Sequence, residues 1–136
     1  RRRPRASGRR GRGGGGVAVS ATLYDLATSA RSAVDRCSAD AREAHWRDVP
    51  AATVRLDAAR VRLDAVTRLA ALCLRAFVAV ERGERVLMVL PRHITSDDVV
   101  AMLVTWPTLV AVDVTEPCDT AGVEAHEAAW KGTVIA

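Results

Sequence analysis

Aromatic residues make up only 4% of the 136 positions. That scarcity argues against a base-stacking platform of the kind single-strand-binding folds build from Phe, Tyr and Trp. It leaves Ala, Val and Leu to form the core. Cysteine is scarce too, and Cys37, Cys73 and Cys118 stand far apart with no CxxC among them. An odd, scattered set gives neither a disulfide framework nor a zinc signature, and it fits a reducing compartment. No run of about 18 apolar residues is present, so no membrane-crossing helix is expected. The longest apolar stretches are interrupted by Arg75 and Glu81. The basic N-terminus has no apolar segment behind it, as a secretory signal would require. An intracellular or virion setting is the expectation.

What is abundant is arginine at one end. Residues 1–16 read RRRPRASGRRGRGGGG, with Arg1, Arg2, Arg3, Arg5, Arg9, Arg10 and Arg12 and no acid. Residues 17–136 carry thirteen basic against sixteen acidic side chains, a net of −3, so the formal +4 of the whole chain belongs to the arm. Gly, Arg, Ser and Pro bury little apolar area, so a flexible arm is expected, hinged at Gly13 to Gly16. A guanidinium fork binds phosphate bidentately and stays charged at any biological pH. The seven arginines are therefore the candidate nucleic-acid contacts, with RNA the expected partner. No arm residue suggests base reading, so binding is expected to be non-specific. The bland alternative is a solvated or targeting tail. The absence of lysine from the arm favours phosphate over that alternative.

The remaining 120 residues share in a hydrophobic content of 49% and can bury a core without a staple. Thr22 and Asp25 form a capping-box start to a helix over 20–46. Leu23, Ala27, Ala30, Val34, Cys37, Ala41 and Ala44 then recur at alternating gaps of four and three, a heptad seam. Asp48 and Pro50 restart the chain. The segment VRLDAAR (54–60) is followed directly by VRLDAVT (61–67), and the stripe Leu56, Ala59, Leu63, Val66, Ala70, Cys73, Phe77, Val80 continues the period. Two such helices joined by a short turn predict an antiparallel hairpin over 17–82. Leu56, Leu63, Val66 and Phe77 are the candidates for a protein interface should the seam face a second copy or another helical protein. In the simpler reading the two stripes bury each other. Arg55, Arg62 and Arg75 lie off the seam, balanced by Asp57 and Asp64, and read as a solvated face.

Residues 77–90 fit either a β-hairpin or a long helix ended by Gly83; the persistence of the stripe to Val80 favours the helix. A small βαβ-like segment over 83–136 is then expected. It comprises a buried strand at Val86 to Leu90, a helix at 96–105 capped by Thr95 and Asp98, and a β-rich run from Thr108 to Val114. Residues 120–131 are weakly helical, and Thr133 to Ile135 is a short strand. The fold class is thus α+β and α-rich: a heptad-patterned hairpin and a small α/β part, behind a disordered basic arm.

Signals for chemistry are thin. His45, His93 and His126 are dispersed, and Cys118, Asp119, Glu124, His126 and Glu127 match no ligand spacing. Pro91-Arg92-His93-Ile94-Thr95 is not a phosphate loop. Asp113, read as the carboxyl end of a strand, and Asp97 with Asp98 could hold a divalent cation, but capping and turn roles account for them. No metal, no cofactor and no catalytic site is expected. The expected function is non-enzymatic: a coat- or nucleocapsid-type or ribonucleoprotein subunit, homo-oligomeric or part of a larger assembly, whose arm neutralises phosphate. The alternative is an interaction subunit that docks through its hairpin, with the arm as a tail.

Overall fold

The computed structural model describes residues 21–136, so the arm and its seven arginines lie outside the described residues. Helix α1 (Leu23–Glu43) starts where the sequence places it. The Thr22 hydroxyl accepts from the Asp25 backbone N–H at 3.1 Å, and the Asp25 carboxylate accepts from the Thr22 N–H at 2.9 Å. Every residue of the predicted α1 seam is buried or half-buried. After a turn whose tip holds the exposed Trp46 under the Arg47 guanidinium, helix α2 (Val49–Glu81) packs back along α1. With 33 residues against 21, α2 outruns α1 by roughly 18 Å.

That overhang changes which residues α2 buries. Along the shared length one stripe faces α1. Further on, a second face is covered by the sheet, so Ala65, Leu69, Leu72, Ala76 and Ala79 are buried in addition to the heptad positions Val66 and Cys73. A strict seven-residue count misses them because it assumes one neighbour, whereas this end of α2 has two. The helix ends in a Schellman motif. Glu84 N–H donates to the Ala79 carbonyl and Gly83 N–H to that of Val80, with Gly83 at φ +77 as a Cβ would disfavour.

The α/β part follows as β1 (Val86–Val89), α3 (Ser96–Thr105), β2 (Asp113–Thr115), α4 (Thr120–Ala129) and β3 (Thr133–Ile135). All pairings are parallel, and β1 is central in the order β2-β1-β3. The continuous apolar run VLMV reads as a strand covered on both faces, and all four residues are buried. Val86, Met88, Val112 and Ile135 join Leu23, Leu69, Cys73 and Met102 in one core. The expected β run from Thr108 to Val114 needs correction. Pro107–Ala111 is a 3-10 helix, and only Asp113–Thr115 is strand. Proline at the first position and Leu109, turned into the core, hold that segment helical against its β propensity. Strand β3 is entered through Gly132 at φ +152, where a Cβ would lie 2.1 Å from the Arg85 carbonyl oxygen. That oxygen accepts from both Trp130 Nε1 and Thr133 N–H, while the Arg85 guanidinium covers the Trp130 ring at 4.3 Å.

One buried charge joins the two parts. Asp98 in the first turn of α3 is 1% exposed. Its two carboxylate oxygens accept from Arg62 Nη1 and Nη2, each at 2.7 Å, and Oδ2 also accepts from the Thr95 N–H at 2.9 Å. Arg62 is therefore not part of a solvated face, as its sequence neighbours suggested. Arg62 and its Thr95 cap hold the Asp98 carboxyl below the usual carboxylate range, against the upward push of burial. At the other end of α3, Thr105 Oγ1 accepts from Leu23 N–H at 2.9 Å and ties α3 to α1.

Removing one partner of a buried pair strands the other. Asp98→Ala is expected to cost about 3 kcal/mol in urea unfolding. Arg62→Ala should cost about 2 kcal/mol, less because water reaches the guanidinium side. Because the folded pKa is lowered, the pair's contribution is complete above the unfolded carboxylate value of about 3.9 and is lost as pH falls through the lower folded value. The stability difference between the parent chain and Asp98→Asn should therefore be flat from pH 8 to about 5 and shrink below about 4. A difference that persists undiminished at pH 2 would exclude this assignment.

Candidate functional site

The structure separates the charge-bearing residues that the sequence left as candidates. Asp113 begins β2 rather than ending it, so it sits at the amino edge of the sheet, exposed. Asp97 is exposed in the first turn of α3, and Asp98 is spent on Arg62 and Thr95. No carboxylate cluster forms from the three. Among the described residues no group of three or more His, Cys, Asp or Glu side chains could hold a metal ion. Nor is any helix there long and apolar enough to cross a membrane. Of the four interface candidates, Leu56 and Val66 are buried in the chain's own interior. Leu63 and Phe77 are half-buried, Phe77 against the main core.

The body's other arginines are mostly occupied. Arg68 Nε donates to Asp64 at 2.8 Å, Arg60 lies 3.9 Å from Asp57, and Arg75 donates to the Ala136 carbonyl at 3.0 Å. Arg42 reaches Ser38 at 3.2 Å, and Arg85 and Arg47 cover tryptophan rings. Arg31, Arg36, Arg55, Arg82, Arg92 and Lys131 have no ion-pair partner among the described residues.

One concave feature was not anticipated. A crevice of about 930 Å³ opens outside the carboxyl ends of the strands, at Val89–Leu90 of the β1 end, Pro117 after β2 and Ala136 after β3. This is where open parallel sheets place their ligands. One wall is the middle of α2, from Arg60 to Leu72, and the other is the first turn of α4 with Thr120 and Val123. The loops Pro91 to His93 and Pro117 to Asp119 form the lip. His93 turns the first loop at φ +67, a left-handed conformation uncommon outside glycine. The local signals were present in the sequence, since Pro91 and Pro117 mark the strand ends. What brings them together is the strand order, which no local pattern encodes.

The cysteines divide by environment. Cys73 is fully buried in the core, and burial alone pushes its thiol up to about 12. Cys118 is half-exposed on the crevice lip, and Cys37 is half-buried on α1. Thiolate is the reactive form. Iodoacetamide under native conditions should therefore label Cys118 and spare Cys73 until the chain is unfolded, as read by peptide mass. Native labelling of Cys73 at the rate of Cys118 would contradict this core.

No protein-family model matches this chain, and no curated protein and no solved structure matches it.

Proposed function

We propose that this chain is a non-enzymatic, nucleic-acid-associated structural protein. Its arginine arm neutralises phosphate, RNA in the first instance, without reading sequence. Its body serves as the assembly or packing unit of a coat-, nucleocapsid- or ribonucleoprotein-type particle. The observation that carries this reading is the segregation of charge. Seven arginines and no acid occupy residues 1–16, against a net of −3 over residues 17–136. The sixteen acids of residues 17–136 outnumber their thirteen bases, so the body as a whole offers phosphate no net positive charge. A cationic arm supplies the salt-sensitive, sequence-independent part of nucleic-acid binding. An arm of interleaved Arg and Gly can follow an irregular phosphate backbone at little steric cost.

The second reading, a hairpin that docks on a partner protein, draws on the apolar side chains that α2 leaves outside. Val54 is 68% exposed and Val61 45%. In that case the arm is a tail, and the binding function resides in residues 49–61.

Fluorescence anisotropy with a labelled 20-nucleotide RNA of arbitrary sequence separates the two. If six or seven arginines meet phosphates, log K should fall against log salt with a slope of about −4 to −5. Replacing the seven arm arginines by glutamine should abolish that binding. Binding that survives the replacement unchanged removes the proposal.

A further inference from the structure

We propose that the crevice at the carboxyl edge of the sheet binds a small amphiphilic anion, an aliphatic chain bearing a phosphate or carboxylate head. Val61, Ala65, Leu72, Val89 and Val123 give aliphatic walls. No aromatic ring except the His93 imidazole lines it, so a nucleobase would find no stacking partner. The volume of about 930 Å³ is in the range of small-molecule sites. Val61, 45% exposed on α2, is apolar surface that an aliphatic ligand would cover.

The head group follows from the charges. Arg60 and Arg68 are drawn to Asp57 and Asp64, and Asp119 Oδ1 accepts the Gly122 N–H at 2.8 Å. Arg92 remains on the lip with no ion-pair partner among the described residues, next to His93. Two adjacent donors on a loop held in a left-handed turn, beside an aliphatic trough, suit an anionic head with its tail laid along α2. This site is independent of the arm. Its failure leaves the RNA reading standing, and the reverse holds as well.

The test is an amide-resolved NMR titration of the full chain with four probes kept below micelle-forming concentration: octyl phosphate, octanoate, octyl glucoside and inorganic phosphate. Octyl phosphate and octanoate should each bind at least tenfold tighter than phosphate alone, since each methylene buried is worth about fourfold, and at least tenfold tighter than the neutral glucoside, which lacks the charge that Arg92 meets. Shifts should concentrate at residues 61–72, 89–93 and 117–123. Arg92→Ala should weaken both anionic amphiphiles about tenfold. Val61→Trp, which fills the trough from its exposed side, should block them while its spectrum elsewhere stays that of the parent. Equal binding of the glucoside, shifts confined to residues 1–16, or an Arg92→Ala variant with parental affinity each overturn the proposal.

Discussion

The carboxylate of Asp98 is the constraint on which the arrangement of the two halves depends. It is a charge taken almost wholly out of water, held there by a two-pronged guanidinium from Arg62 and by the Thr95 amide. Burying a lone carboxylate is prohibitive, whereas burying one with its hydrogen-bonding capacity filled is tolerable and demands a specific geometry. That demand fixes the start of α3 against α2. Thr105 fixes the other end against α1, so the βαβ unit is docked on the hairpin in one orientation. The loop from Pro91 to Thr95 is anchored at its far end by the same carboxylate, and this loop forms the lip of the crevice.

Charge is used differently at the two ends of the chain. In the body, acids and bases are matched locally, as in Asp64 with Arg68, or across the fold, as in Asp98 with Arg62. In residues 1–16 there is nothing to match against. The functional reading rests on that density and not on the choice of arginine. Lys131 is the chain's one lysine, so the arm's lack of lysine follows the usage of the whole sequence and discriminates less than it first suggests.

Much of the fold was legible because it is written in local signals. The Thr22–Asp25 and Thr95–Asp98 capping boxes, the α1 seam and Gly83 each depend on residues within a few positions of one another, and each forms as expected. The misreadings share one cause, which is that tertiary context outweighed local pattern. Thr108 to Ala111 has β propensity but is drawn into a 3-10 turn by Pro107 and the burial of Leu109. Arg62 has acids nearby in sequence, yet its partner lies 36 positions away. Asp113 opens its strand and does not close it, because the strand starts later than its apolar run. The crevice was illegible for the same reason: it requires β1 at the centre of the sheet, with the ends of β2 and β3 on either side.

The central claim is that the arm, and not the folded body, meets the phosphates of RNA. The most direct measurement follows the arginine side-chain Nε–Hε resonances of the full chain as single-stranded RNA is added. The account predicts that the resonances of Arg1 through Arg12 shift and broaden, while those of Arg62, Arg68 and Arg85 stay in place. Movement of the body's signals with the arm's unchanged would contradict it.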